Sequence, residues 1–167
     1  MMKENIILLV DADRDCEDLV WKAAARKDRD LLVAKTSRQA LAILRNQMRY
    51  LQLVIVDVDP GAHALALLEA ISGCAEKPPM IVMTALEETY MKPIAIEHGA
   101  VACLGKPVAL GKLKSVIDEV SAKRSLTCDR WGSLVLRPTS KGSNLKAGFR
   151  GIATKLSPVV STRRKHS

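Results

Sequence analysis

Runs of consecutive aliphatic residues alternate along most of the chain with segments in which apolar residues recur every three or four positions. An unbroken aliphatic run is typical of a strand buried on both faces of a parallel sheet, whereas the wider spacing is typical of an amphipathic helix. The pattern predicts five strands, at residues 5–10, 31–34, 53–57, 80–84 and 101–104.

A segment with helical spacing follows each predicted strand. Gly73 and Gly99 end the third and fourth of these helices, since glycine readily adopts the left-handed conformation of a helix end. Pro93 lacks a backbone N–H and disrupts a helix interior, so the fourth helix is expected either to have an irregular first turn or to begin late. The first predicted helix begins at Arg14, and the second follows a cap at Thr36 or Ser37. The later helices are predicted to begin near Ala62, near Met91 and near Ala109, and the last one ends near Ala122.

Five strands that alternate with five helices predict an α/β domain with one parallel sheet and right-handed crossovers. The predicted domain covers residues 4–122 of the 167-residue chain. No apolar run approaches the roughly 20 residues that a transmembrane helix requires, and the N-terminus lacks the features of a signal peptide. The four cysteines show no metal-ligand spacing. We therefore expect a cytoplasmic protein with reduced thiols.

The net charge of +8 belongs to the C-terminal part of the chain. Residues 121–167 contain 11 Lys and Arg but only one acid, Asp129, and they are rich in Ser, Thr, Gly and Pro. Apolar periodicity stops after Lys123, so residues 123–167 are predicted to be a basic, mostly disordered tail. This tail could bind a polyanion weakly through its charge, or be a solvated extension with no ligand.

Acidic, hydroxyl and basic side chains stand at the carboxyl ends of four predicted strands. Asp11 and Asp13 follow the first strand, and Asp57 ends the third. Thr84 ends the fourth strand, and Lys106 follows the fifth. The carboxyl ends of parallel strands share one edge of the sheet, so these groups are expected to converge there. Carboxylates brought together in this way need a cation, most simply Mg²⁺.

Such a group of side chains predicts phosphoryl transfer. Lysine and a hydroxyl could hold the oxygens of an incoming phosphoryl group, and in-line attack by Asp57 would then form an acyl phosphate. Each residue also has a structural alternative: Asp57 or Asp11 could cap a helix, Thr84 could cap a strand end, and Lys106 could be a solvated charge. The occurrence of all four at one edge favours the phosphoryl interpretation.

The sequence resembles the receiver domain of two-component response regulators over residues 4–122. The resemblance is carried by the LLVDAD segment at 8–13, by Asp57 at the end of IVD, by Met83-Thr84-Ala85, and by Gly99-Ala100 with Leu104-Gly105-Lys106-Pro107.

This resemblance implies a doubly wound, flavodoxin-like receiver fold in which Asp57 accepts a phosphoryl group from a sensor histidine kinase or phosphotransfer protein. It also implies that Asp11, and Asp57 itself, hold Mg²⁺, that Thr84 bonds the phosphoryl group, and that Lys106 pairs with it. The Lys106–Pro107 peptide is then expected to be cis. A stand-alone receiver of this kind would act through contacts with a downstream protein target.

The sequence departs from the family pattern at three positions. Ala12 stands where the family has a second acid, which leaves Asp13, one residue later, as the candidate metal ligand. Pro60 follows the phosphoacceptor one residue early, so Asp59 could donate an oxygen to the metal or cap the next helix. Cys103 stands where the family has an aromatic residue that rotates on phosphorylation.

Two alternative functions follow from the same residues. Ala12 and Cys103 favour a pseudo-receiver, a protein-docking module without phosphotransfer. A strand followed by Asp-x-Asp, which occurs at Asp11 and again at Asp57, is similar to the nucleophile motif of haloacid-dehalogenase-type phosphatases. Turnover of a phosphate ester would favour the phosphatase.

Overall fold

The computed structural model of the chain describes residues 5–26, 28–58, 62–131 and 161–163. In these residues the strands are β1 (Ile6–Val10), β2 (Asp30–Ala34), β3 (Leu51–Asp57), β4 (Met80–Thr84), β5 (Ala100–Gly105) and β6 (Ser161–Arg163). The helices are α1 (Arg14–Ala24), α2 (Ser37–Gln47), α3 (Ala62–Ser72), α4 (Glu88–Glu97) and α5 (Leu110–Trp131), with a short 3₁₀ turn at Met48–Tyr50 before β3.

The strands form one sheet in the order β5-β4-β3-β1-β2-β6. The pairs among β1 to β5 are all parallel, as the uninterrupted aliphatic runs predicted. The predicted fold of five parallel strands and five helices is therefore confirmed. The order of the strands reverses between β1 and β3, and the crevice at such a switch point is where open α/β sheets bind their ligands.

Helices cover both faces of the sheet. Successive residues of a strand point to opposite faces, so each strand contributes to two separate cores. In β1, for example, Leu8 packs in the core beneath α2, α3 and α4, whereas Leu9 packs in the core beneath α1 and α5. Both leucines are fully buried. Because helices shield both faces of the sheet from solvent, its strands need apolar residues at every position.

The helix-end signals in the sequence act as predicted at several positions. Thr36 caps α2, and its hydroxyl accepts a hydrogen bond from the backbone N–H of Gln39. Gly99 follows α4 with a φ of +87°, a conformation that side chains other than glycine adopt at a cost. The hydroxyl of Ser72, at the end of α3, donates a hydrogen bond to the carbonyl of His98 beside this turn.

Two helices differ from their predicted extents. Helix α4 begins at Glu88 rather than near Met91, and it contains Pro93. Pro93 lacks the N–H that would bond the carbonyl of Thr89 within the helix, and Thr89 is an exposed residue. The last helix continues to Trp131, beyond the predicted end near Ala122.

Most of the predicted disordered tail, residues 123–167, lies outside the described residues. Of this tail, the structure describes the end of α5 and strand β6, which pairs antiparallel with β2 and which apolar periodicity did not predict. No helix within the described segments is long and apolar enough to cross a membrane.

Candidate functional site

Lys106 joins the two acids at the switch point of the sheet. Its ammonium lies 2.8 Å from Oδ2 of Asp57 and 3.4 Å from Oδ2 of Asp11. The side chains of Asp11 and Asp57 are only 3% and 8% exposed, and that of Lys106 is 23% exposed. Three charged groups from β1, β3 and β5 therefore converge in a nearly buried site at the carboxyl edge.

The two carboxylates keep Lys106 protonated. Burial lowers the pKa of Lys106, but the hydrogen bond and charge of Asp57, with the charge of Asp11, outweigh burial and raise the pKa above the ordinary lysine value. A buried cation between two acids offsets their mutual repulsion, which would otherwise oppose bringing them together. Lys106 thus stays positively charged throughout the neutral pH range.

Backbone contacts fix the position of Asp11. Its Oδ1 accepts a hydrogen bond of 2.8 Å from the N–H of Asp13, and its own N–H donates to the carbonyl of Ala34 at 3.0 Å. The thiol of Cys16, in the first turn of α1, lies close to the Asp11 carboxylate. Each contact holds the carboxylate toward Lys106.

Asp13 is not brought into this group. It is an exposed residue that caps α1, and its side chain accepts a hydrogen bond of 3.1 Å from the N–H of Asp15. The described parts of the chain contain no cluster of three acids, histidines or cysteines that could hold a metal ion. Asp59, the other candidate oxygen donor, lies outside the described residues.

Thr84 lies at the same edge, fully buried. Its hydroxyl donates to the carbonyl of Val58 at 2.8 Å and accepts from the N–H of Leu86 at 3.1 Å. Its carbonyl accepts from the N–H of Lys106 at 2.7 Å, and the Lys106–Pro107 peptide is cis. The hydroxyl is thus positioned next to the chain that follows Asp57.

Two buried cysteines, Cys16 in α1 and Cys103 in β5, lie on elements that adjoin the site. Burial, followed by the hydrogen bond and charge of Asp11, raises the pKa of Cys16. Burial and then the charge of Glu88 raise the pKa of Cys103, which packs among the core residues of α4. Raised pKa values leave little thiolate at neutral pH, so both thiols are expected to react slowly. No motif in the sequence predicts that Cys16 lies close to Asp11. The turn between β1 and α1 brings the two residues together.

Glu88 makes contacts next to the site that the sequence did not predict. Its Oε2 accepts a hydrogen bond of 3.2 Å from the N–H of Gly105 and lies 3.7 Å from the ammonium of Lys112. The N–H of Gly105, followed by the charge of Lys112, lowers the pKa of Glu88. This side chain connects the start of α4 to the end of β5, directly before Lys106.

The donor set fits a magnesium ion held by two carboxylates. Mg²⁺ is usually bound through one or two carboxylates, together with waters and phosphate oxygens, rather than by a cage of protein ligands. Asp11 and Asp57 supply oxygens that lie close to one ammonium group. The positive charge of Lys106 is then available for the oxygens of a phosphoryl group.

Comparison with known proteins agrees with this geometry. The sequence model of the response regulator receiver domain matches residues 7–118. The chain belongs to the response regulator receiver family. Receiver domains are signalling domains rather than classical enzymes, they generally bind Mg²⁺ at the phosphorylation site, and they interact with histidine kinases or phosphotransfer proteins.

Among curated proteins, this receiver domain is similar to two plant regulators. It is 30% identical to two-component response regulator ARR10 of Arabidopsis thaliana over 121 residues, which are 72% of this chain and 22% of that protein. It is 31% identical to ORR24 of Oryza sativa subsp. indica over 124 residues, 74% of this chain and 19% of that protein. The chain thus spans about a fifth of the length of these relatives.

Solved structures show the same receiver fold. A response regulator from Thermotoga maritima aligns with a TM-score of 0.64 at 24% identity, over 71% of this chain and 98% of that one. Chemotaxis response regulator CheY4 of Vibrio cholerae aligns with a TM-score of 0.61 at 20% identity, over 70% of this chain and 98% of that one.

Proposed function

We propose that this receiver domain accepts a phosphoryl group on Asp57 from a histidine kinase or phosphotransfer protein, and that it signals through changed contacts with a downstream protein. The observation that carries the proposal is the 2.8 Å contact between the ammonium of Lys106 and Oδ2 of Asp57, with Asp11 beside them. This is a nearly buried carboxylate, held by a cation at the switch point of a parallel sheet.

The chemistry needs a carboxylate nucleophile and positive charge near the transferred group. An oxygen of Asp57 forms the new bond to phosphorus while the donor's phosphorus–nitrogen bond breaks, and the electron pair of that bond leaves with the imidazole. Mg²⁺ held by Asp11 and Asp57 would supply charge neutralisation. Lys106 remains protonated and would pair with the phosphoryl oxygens.

Thr84 is proposed to respond to the phosphoryl group. Its buried hydroxyl donates to the carbonyl of Val58, next to the phosphoacceptor. A phosphoryl oxygen carries more negative charge than a carbonyl and is the stronger acceptor. The Thr84 hydroxyl would therefore donate its hydrogen bond to the phosphoryl group instead of to the carbonyl of Val58. This change of acceptor would move the chain that leads into α4.

The downstream protein is proposed to contact α4, β5 and α5. Among the described residues, the exposed large hydrophobic side chains are Tyr90, Ile96, Val101 and Leu110, and all four lie on these three elements. Lys106 directly follows β5, so a change at the site is transmitted to this surface over a short distance. Exposed apolar side chains clustered on one side of a domain indicate a protein contact.

Incubation with acetyl phosphate and Mg²⁺ tests the proposal. The intact chain should gain one phosphoryl mass that hydroxylamine removes, because an acyl phosphate reacts with that nucleophile. Asp57→Asn should gain none. Asp13→Asn is the matched control, since Asp13 caps α1 outside the group of charges, and it should be labelled like the original chain.

The pseudo-receiver is the second candidate, and one observation favours it. Only two carboxylates meet at the site among the described residues, because Ala12 has no side-chain oxygen and Asp13 caps α1. A folded chain that gains no phosphoryl mass from acetyl phosphate, with or without Mg²⁺, would establish the docking module and contradict phosphotransfer.

A further inference from the structure

The outer edge of β2 is covered by a strand from the C-terminal tail. Strand β6 pairs antiparallel with β2, with Leu31 opposite Arg163, Leu32 opposite Thr162 and Val33 opposite Ser161. Without this strand β2 would be the edge of the sheet, since β1 lies on its other side. The pairing brings a segment near the end of the chain back to the domain.

The register fixes which backbone groups of β2 face the tail. The N–H of Asp30 donates to Asn5, and the carbonyl of Ala34 accepts from Asp11, so even-numbered residues of β2 direct their backbone groups toward β1. Backbone groups alternate in direction along a strand. The backbone N–H and C=O groups of Leu31 and Val33 therefore point outward, toward β6, whereas those of Leu32 point toward β1.

The sequence of β2 lacks the usual protection of an edge strand. Exposed edges in natural proteins are commonly protected by Lys, by Pro, by a bulge or by a covering segment. Residues 31–34 are Leu-Leu-Val-Ala, all buried, and contain no charge and no proline. An uncovered edge of this composition would pair with another strand, so a covering segment is the protection that remains.

We propose that the outer edge of β2 is a strand-addition site whose occupant is the chain's own segment Ser161–Arg163. The pairing is intramolecular and closes the sheet edge against association with a second copy. Backbone hydrogen bonds from Leu31 and Val33 hold the segment, since strand addition recognises main-chain groups first.

The pairing itself identifies the occupant. Ser161, Thr162 and Arg163 pair with Val33, Leu32 and Leu31 in an uninterrupted antiparallel register. The segment belongs to the same chain as β2, so no second copy is needed to complete this edge of the sheet.

Hydrogen exchange of single amides in the full chain tests the site. Arg163→Pro and Ser161→Pro each remove an N–H that faces β2, so the amides of Leu31 and Val33 should exchange about tenfold or more faster. Thr162→Pro is the matched control, because the N–H of Thr162 points away from β2 and proline is tolerated there. The amide of Leu32, which faces β1, should be unchanged in all three variants.

Three outcomes overturn the proposal. One is that Leu31 and Val33 exchange as fast as unprotected amides in the original chain. Another is that the proline variants leave their exchange unchanged. The third is that the amides of Leu31 and Val33 lose their protection on about hundredfold dilution and that light scattering gives the mass of a dimer. In that case the strand paired with β2 comes from a second copy of the chain. In the original chain, we expect the protection of these amides to be independent of protein concentration. The Arg163→Pro variant should self-associate.

Discussion

The hydroxyl of Thr84 donates a hydrogen bond of 2.8 Å to the carbonyl oxygen of Val58, the residue that follows Asp57. The hydroxyl oxygen of Thr84 also accepts a hydrogen bond from the N–H of Leu86, on the path to α4. One buried hydroxyl thereby connects the end of β4, the chain after the phosphoacceptor and the chain that leads to the next helix. Its loss affects stability as well as signalling.

Thr84→Val should lower the free energy of unfolding by about 1–3 kcal/mol, because the buried carbonyl of Val58 and the partly buried N–H of Leu86 lose their partner. Thr84→Ser keeps the hydroxyl, removes only a methyl group, and should cost less. Urea denaturation monitored by circular dichroism measures both variants. Equal losses for the two variants would mean that the methyl group, not the hydroxyl, matters at this position.

Lys106→Met should destabilise the chain by about 2 kcal/mol at pH 7 in EDTA, since two nearly buried carboxylates lose their cation. A lysine whose pKa is raised by folding stabilises the fold below its unfolded pKa, and this stabilisation is lost as pH rises through the folded pKa. The difference between the original chain and Lys106→Met should thus stay constant from pH 7 to about pH 10 and shrink only above that value.

Denaturation in EDTA over this pH range measures the contribution of Lys106. Lys106→Arg, which retains a positive charge, is the control and should lose less stability than Lys106→Met. A difference that already disappears between pH 7 and pH 9 contradicts the raised pKa of Lys106.

Gly99→Ala should destabilise the chain by more than about 1 kcal/mol. Gly99 has a φ of +87°, and an added Cβ would lie 2.6 Å from Oγ of Ser72. Gly111→Ala is the matched control in the first turn of α5, where nothing lies within 4 Å of the added carbon. Thermal unfolding should show a large loss at residue 99 and none at residue 111, where alanine favours the helix.

Iodoacetamide should modify Cys74 well before Cys16 or Cys103 in the folded chain. Cys16 and Cys103 are buried and their pKa values are raised, so little thiolate forms at neutral pH, whereas Cys74 is partly accessible. Peptide mass spectrometry of the Cys128→Ser variant compares these three sites. In urea all three should react at similar rates, and rapid native modification of Cys16 would contradict its buried contact with Asp11.

The basic tail has two candidate roles, weak polyanion binding through its charge and a solvated extension with no ligand, and the salt dependence of binding distinguishes them. The affinity of the full chain for duplex DNA should fall about tenfold or more between 50 and 200 mM salt, because bound counterions are released. Changing Arg163, Arg164 and Lys165 to glutamine should weaken binding and reduce the salt dependence. Affinity that does not vary with salt, or that survives deletion of residues 124–167, would falsify the binding role of the tail.

Local sequence signals predicted most of the secondary structure. Helix α3 was predicted at its observed bounds, and β4 as well, because apolar runs and glycine stops act over a few residues. Of the two alternatives expected for α4, the late start near Met91 was wrong: the helix begins at Glu88 and contains Pro93, which interrupts only one helical hydrogen bond. Strand β6 was missed because pairing with β2, rather than its own periodicity, defines it.

The sequence by itself determined that acids, a hydroxyl and a lysine end neighbouring strands, because the alternation of strands and helices fixes which ends share an edge. Only the tertiary structure decided which of these groups meet. Lys106 lies beside Asp57 and Asp11, whereas Asp13, two residues from Asp11, turns away to cap α1. The reason is that a capping hydrogen bond is local, while the contact between Lys106 and Asp11 joins residues far apart in sequence, and only the packed sheet brings them together.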